Sequence, residues 1–446
     1  MSQTINKPQG TLLRGQRKAL QSWPKGKRIP FPGLFQKLRG TDKLLRDADA
    51  AFEEGRLTEG ARLLKILAGR RHTDALFRLG QCYAQGRGVV RNMPEAVSWI
   101  RRAAELGHTD AQHFLGQIYS QGMGKVRDYS DPMRLYAATD EADPHSNRSL
   151  LFPAGVNIER NEAEGFLWLE RAAKAGHAFA QLDLAQRFLY GWSGGEPDIP
   201  HALELLKASA VQNCSKAHVV LSRMFLDGKL VERDPKAGVE HLRTAAELGN
   251  PDAAGELGVL LASGTDLPAD PVEAIQWFEK AVARNHAPSV LNLANMRLRG
   301  QGVPQDPAKA ASLYRTAIKL ARYPQAQWRL GSLYEAGQGV EQDGFEASEW
   351  YRQAAEQGYV PAQFSLALLY SRGGGVVRND QKAADWFEKA ANAGHVQSCL
   401  NLSLMALRGR LGAPDRDRAR HWLEQARAHA GPGDQEHIRH VENQVG

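Results

Sequence analysis

The chain has 446 residues, is 42% hydrophobic and 24% charged, and carries a formal net charge of +7. It contains no run of about 18 apolar residues, which excludes a helix that spans a bilayer. Its three cysteines, Cys82, Cys214 and Cys399, are too scattered for a disulfide framework or a metal-ligand spacing, and a reducing cytoplasm is the expected compartment.

Residues 1–41 read as a basic tail without fixed structure. Met1 to Arg46 holds eleven Lys or Arg against the single acid Asp42, so the rest of the chain is slightly acidic. The basic balance therefore belongs to the tail, and nothing in the body's composition calls for nucleic acid. Met1 to Gly10 is polar, and no apolar stretch of about 7 to 15 residues comes after it as a secretory signal requires. In the tail Arg14, Arg17, Lys18, Lys25, Lys27, Arg28, Lys37 and Arg39 alternate with Trp23, Phe31 and Phe35, while Pro24, Pro30 and Pro32 forbid one continuous helix. Two readings stand: a solvated tail, or a docking segment for an acidic partner or, over residues 1–46, an anionic membrane surface. A mitochondrial transit peptide fits less well, because proline and lysine are too frequent. The second docking option would make a cytoplasmic protein peripheral to the inner membrane.

Residues 42–74 read as a capping helix pair, Asp42 to Ala68, that lacks the full anchor set of the repeated units. From 75 to 430 the chain repeats at a period of 36 to 37 residues, with copies starting at Ala75, Ala111, Ala180, Ala217, Ala253, Ser289, Ala326, Ala362 and Ser398. Four residues on stands leucine in every copy, from Leu79 to Leu402; then comes Gly, Ala or Ser; eleven residues on stands glycine, from Gly86 to Gly409. Anchors at offsets 0, +4, +5, +8 and +11 form one buried stripe of a first helix, which the glycine ends. A second helix carries Trp99, Trp168, Trp277, Trp350, Trp386 and Trp422 at one register, with a small residue four positions later. Such a pair cannot bury both faces alone, so successive pairs must stack. The period is broken once, in the second copy, where the turn after Gly122 is expanded by an insert at about 125–158 before Arg160 and Trp168 restore the register. The insert is either a solvated loop or one that folds over a groove or a partner; Met133, Leu135, Tyr136, Leu150, Leu151 and Phe152 make it apolar for a spacer. Residues 431–446 read as a closing helix after the breaker Gly431, Pro432, Gly433.

Ala326 to Gly358 (AQWRLGSLYEAGQGVEQDGFEASEWYRQAAEQG) carries the LG, LY, GxGV and WYxxAA elements of the Sel-1-like repeat family, relatives of tetratricopeptide repeats, and over residues 75–430 the chain resembles that family. The resemblance implies an all-α, α/α superhelical solenoid of about nine repeats, acting as a bacterial, non-enzymatic adaptor or scaffold that binds protein partners through peptide-like segments. A regulator of cell-envelope assembly, secretion or polysaccharide export, held at a membrane surface by the tail, is the alternative. In the family the first helices tend to line the concave surface. The positions opposite the core stripe, +2, +6 and +9, are thus the expected groove: Leu182, Gln186 and Leu189; Val219, Arg223 and Leu226; Trp328, Ser332 and Glu335; Phe364, Leu368 and Ser371.

No catalytic residue, metal site, cofactor or small-molecule substrate is expected. Gly191 to Gly195 matches the G-x-S-x-G elbow around Ser193, but it occupies the repeat's glycine turn and comes after a helix, so a serine hydrolase is a remote reading. Ser22 to Lys25 matches S-x-x-K; cysteine-rich relatives of the family are linked to β-lactam binding, yet their paired cysteines are absent here. His108, His177 and His395 each come after a glycine at the turn between copies, which reads as a structural place near a helix end where positive charge is favoured.

Overall fold

The computed structural model describes residues 32–121, 160–191 and 195–445, and the regular elements among them are all helices. A leading pair, α1 (Pro32–Glu53) and α2 (Leu57–Gly69), is succeeded by nine more pairs. These are α3 (Thr73–Gln85) with α4 (Met93–Glu105), α5 (Thr109–Gln121) with α6 (Glu162–Lys174), and α7 (Ala178–Tyr190) with α8 (Ile199–Ala210). Then come α9 (Ser215–Asp227) with α10 (Pro235–Glu247), α11 (Pro251–Ser263) with α12 (Pro271–Val282), and α13 (Ala287–Arg299) with α14 (Pro307–Ala321). The last are α15 (Pro324–Ala336) with α16 (Gly344–Glu356), α17 (Val360–Arg372) with α18 (Asp380–Asn392), and α19 (Val396–Leu407) with α20 (Arg416–His429). A 3-10 turn at Pro432–Asp434 leads into α21 (Gln435–Val445). Helix α1 starts inside the segment expected to be tail, because Pro32 at a helix start loses no hydrogen bond. The chain divides into two compact units, one ending at Leu184 and one beginning at Ala185, each a run of stacked helix pairs. The α/α solenoid is the fold.

Local chemistry explains why each pair forms. All nine second helices begin on Asn or Asp: Asn92, Asn161, Asp198, Asp234, Asp270, Asp306, Asp343, Asn379 and Asp415 each accept a backbone N–H of the first turn. Such a cap contributes about 1 kcal/mol. The backbone N–H of the same residue donates to a carbonyl near the end of the first helix, as Asn92 does to Tyr83 at 3.0 Å and Asp343 to Tyr334 at 3.0 Å. Asn161 makes this bond to Tyr119 at 2.8 Å, so the pair α5 and α6 closes in register across the insert, itself outside the described residues.

Between the paired helices the small residue at +5 meets a large one. A β-carbon on Gly80 would lie 2.5 Å from Ile100, and one on Gly331 would lie 2.7 Å from Tyr351. The fully buried anchor of the second helix is thus the residue after the tryptophan register: Ile100, Leu169, Leu206, Leu242, Phe278, Tyr314, Tyr351 and Phe387 are each no more than 1% exposed. Burial of such a side chain contributes about 1.5–3 kcal/mol. The tryptophans pack beside it and keep one polar edge: Trp99 and Trp277 donate Nε1–H at 3.0 Å to Glu95 and Glu273, one turn earlier.

Pairs are also joined through the turn. The second glycine of the GxG turn has positive φ and packs against the start of the preceding pair's second helix, Gly88 on Leu57 and Gly375 on Gly344. A β-carbon on Gly88 would sit 2.1 Å from the Leu57 carbonyl oxygen. Gly88→Ala is expected to destabilise the first unit by about 3 kcal/mol. Gly107→Ala, at φ +88° with nothing within 4 Å, costs only the left-handed strain of about 1 kcal/mol. Urea unfolding of the two variants compares them directly.

The pair α9 and α10 departs from its neighbours. Where Gln112, Gln181 and Gln363 donate to the carbonyl eight residues back, His218 Nε2 donates to Ala210 O at 3.2 Å. Its Nδ1 is then an acceptor, 3.0 Å from Nδ1 of His241, which occupies the tryptophan register and stacks on Phe225. Burial lowers the pKa of both rings; His218 and Lys207 push His241 down further, against Glu240. A histidine held below its unfolded value of about 6.5 contributes stability above that pH and loses it as pH falls through the window beneath. The second unit is expected to lose several degrees of melting temperature between pH 7 and 5. His218→Gln with His241→Trp, the residues other copies use, should remove part of that loss in thermal melts.

Candidate partner-binding face

The +2 residue of one first helix rests on the residue that caps the next. Phe77 stacks on His108 with ring centroids 4.8 Å apart, His113 meets His177 at 4.5 Å and Phe364 meets His395 at 4.6 Å with their rings tilted, while Trp328 meets Tyr359 edge-on at 5.9 Å. Gly255 keeps this place open for His286, whose Cε1 lies 2.6 Å from where a β-carbon would stand. The capping histidines act as acceptors: Nδ1 of His72, His108, His177 and His395 takes the backbone N–H of the residue three places on. This corrects the expectation of favoured positive charge, since these rings sit at helix N-termini and cap with an unprotonated nitrogen. The Nε2 of His177 reaches Asp110 at 3.0 Å and that of His286 reaches Asp252 at 3.2 Å, each on the preceding first helix. His286 is the main reason the Asp252 carboxyl is held below its ordinary range, as His108 is for Asp74.

The expected groove positions are largely taken up by these joints. Leu182, Leu189 and Val219 are less than a tenth exposed and pack in the core, which removes them as partner contacts. Trp328 and Phe364 are half-buried; Trp328 also donates Nε1–H to Ser365 at 3.0 Å. Arg223 pairs with Glu256 of the next first helix. Ser332 donates to Arg329 O at 2.7 Å, Glu335 accepts the Tyr351 hydroxyl at 2.8 Å, and Ser371 accepts Arg410 at 3.2 Å. Burial and, next, Glu335 push the Tyr351 phenol above its ordinary range. Leu226 and Leu368 pack at the margins of the core clusters, and Gln186 is half-buried. The physical reason is that +2 and +6 point sideways along the array, toward the neighbouring first helix.

In the earlier copies the row at −1, +3 and +10, which lies within about 40° around each helix at 100° per residue, is drawn into the joints through Asp74, Asp110 and Asp252, and only in the later copies is it left half-buried to exposed. In the later copies it holds Asn292 and Arg299, Gln325 and Arg329, Ser365 and Arg372, Gln397, Asn401 and Arg408; Arg299, Arg372 and Arg408 are exposed. Arg329 lies over the Trp328 ring at 4.5 Å. The sequence held a signal for this row, arginine recurring at +10 in copies whose repeat does not require it. In the tail, Phe35, Lys37 and Arg39 fall within α1, while Arg14, Arg17, Lys18, Trp23, Lys25, Lys27, Arg28 and Phe31 lie outside the described residues, as do Ser193 and the insert. Among the described residues no group of three or more His, Cys, Asp or Glu could hold a metal ion, and no helix is long and apolar enough to cross a membrane.

A family model described as the Sel1 repeat matches residues 73–108, 109–131, 154–177, 178–213, 215–250, 251–286, 287–321, 324–359, 360–395 and 396–429. The two short segments, 109–131 and 154–177, are the halves of the α5 and α6 pair, so ten matched segments fall on nine helix pairs. An uncharacterized protein of Neisseria meningitidis is 29% identical over 199 residues, which cover 45% of this chain and 41% of that protein. Chitin synthase regulatory factor 3 of Schizosaccharomyces pombe is 28% identical over 271 residues, 58% of this chain and 29% of that protein. The chain thus spans less than half the length of either curated relative. Among solved structures, a protective antigen of uropathogenic Escherichia coli with an SLR fold superposes with a TM-score of 0.71 at 26% identity, covering 86% of this chain and 75% of that one. A Sel1 repeat protein of Oxalobacter formigenes gives 0.51 at 26% identity, covering 76% and 88%. With the repeat model matched over most of its length and its helix pairs shared with these structures, the chain belongs to the Sel1 repeat family.

Proposed function

We propose that this protein is a non-catalytic adaptor that holds extended segments of protein partners along the first-helix face of its repeats. One observation carries the reading: the repeated anchors are consumed by the core and the joints, whereas in the later copies the row at −1, +3 and +10 is left half-buried to exposed and holds other residues than in the earlier ones. A scaffold kept by selection for its shape needs those anchors in every copy; a binding surface needs side chains that vary along it. Trp328, Ser332, Phe364 and Leu368 form the floor of this face, and Gln186, Arg223, Leu226, Glu335 and Ser371 its edges. Selection of a random peptide library on the full chain should enrich extended sequences, and hydrogen exchange should then show protection on first helices such as α15 and α17. Protection confined to second helices, or no enrichment at all, overturns the reading.

The relative named for regulation of chitin synthase, together with the basic composition of residues 1–46, favours a second reading as a regulator acting at a membrane surface. In it the tail binds anionic lipid while the repeats hold the regulated protein. Sedimentation with vesicles containing phosphatidylserine should retain the full chain and release one lacking residues 1–31, a deletion that leaves α1 whole. Equal retention of the two removes the lipid anchor.

A further inference from the structure

Within the second unit the charge of the first helices changes along the array. Helix α11 carries Asp252 and Glu256, whereas α13, α15, α17 and α19 together carry a single acid, Glu335, which is engaged by the Tyr351 hydroxyl. The open row of those four helices and their caps instead presents Arg299, Arg329, Arg372 and Arg408. Other arginines of this unit are neutralised in place, Arg297 by Glu279 at 3.2 Å, Arg352 by Glu356 at 2.9 Å and Arg418 by Glu388 at 2.8 Å. The four on the row have no ion-pair partner among the described residues; Arg329 rests on Trp328 and the other three project into solvent.

Arginine at the end of a helix complements the helix dipole, which would account for three of the four without a ligand. The repeat does not demand it there, since the equivalent residue is Gln85, Asp227, Ser263 and Ala336 in other copies, and Arg329 lies in the middle of α15. Between the arginines stand Asn292, Gln325 and Gln397, amide side chains of the kind that hydrogen-bond the main chain of an extended peptide.

We infer that the face formed by α13, α15, α17 and α19 takes an extended acidic peptide, its carboxylates paired with Arg299, Arg329, Arg372 and Arg408. The inference rests on the adaptor reading and names the chemistry of its partner. A peptide fits better than a nucleic acid strand because the charge is four arginines interleaved with amides, on a body that is otherwise slightly acidic.

The test uses the full chain and fluorescence anisotropy with two labelled ten-residue peptides, one with Glu at positions 1, 4, 7 and 10 and one with Gln there. The acidic peptide should bind at least tenfold more tightly, weaken with added salt, and lose tenfold or more in Arg329→Glu with Arg372→Glu. Arg62→Glu, on the exposed face of α2, should leave it unchanged. Equal binding of the two peptides, or no loss in the double variant, overturns the inference; if library-selected peptides still bind, the adaptor reading survives it. If an oligonucleotide binds as tightly and is lost in the same variant, the face is a general polyanion site and the inference fails. Circular dichroism melts of the double variant, expected to match the parent because Arg372 is exposed and Arg329 has no ion-pair partner among the described residues, keep a folding defect from passing as lost affinity.

Discussion

Each pair depends on the residue that opens its second helix. One Asn or Asp does two jobs there: its side chain caps the helix it starts, and its backbone N–H is bonded to the carbonyl of the helix just ended. The turn between the helices is thereby tied at both ends, whatever lies between. This is why the second pair closes as the others do although the chain leaves it for more than thirty residues: Asn161 finds Tyr119 just as Asn92 finds Tyr83. With the pair fixed, the small residue at +5 can receive the large anchor of the second helix at close range, and the remaining apolar faces have no outlet except the next pair.

Stacking the pairs consumes more of the first helix than its core stripe. The +2 side chain, the cap of the next first helix and the aspartate before the first anchor make a joint that is aromatic on one side and hydrogen-bonded on the other. A neutral histidine suits it because its two ring nitrogens can do opposite things, one accepting from the helix start and one donating to the carboxylate. Acid sensitivity is expected away from the joints, in the fourth copy, where burial holds His218 and His241 below the ordinary histidine range and the two face each other through nitrogens that must share one proton. Function is left to the side chains that neither core nor joint has claimed.

The repeat, its helix pairs and the family were legible in the chain itself, because a leucine at +4 and a glycine at +11 recurring nine times leave no other periodic arrangement of helices. The second-helix anchor was read one residue early: tryptophan is conspicuous, yet Ile100, Leu169 and Phe278 behind it are the more deeply buried. The Asn or Asp caps were present in every copy and went unread beside the glycines, although a short polar residue just before a helix is its ordinary start signal.

The tertiary structure decided which face is free. Helical periodicity separates the core stripe from its opposite side, and on that ground Leu182, Leu189 and Val219 were placed on an open groove; they are buried, because a third direction, sideways to the next first helix, exists only once pairs are stacked. Periodicity along one helix cannot register a neighbour that arrives 36 residues later. By itself the sequence determined the helices and their pairing, since those arise from contacts between near residues. Only the stacked structure decided which arginines are neutralised and which remain open, since an ion pair between copies depends on distances that no single repeat contains.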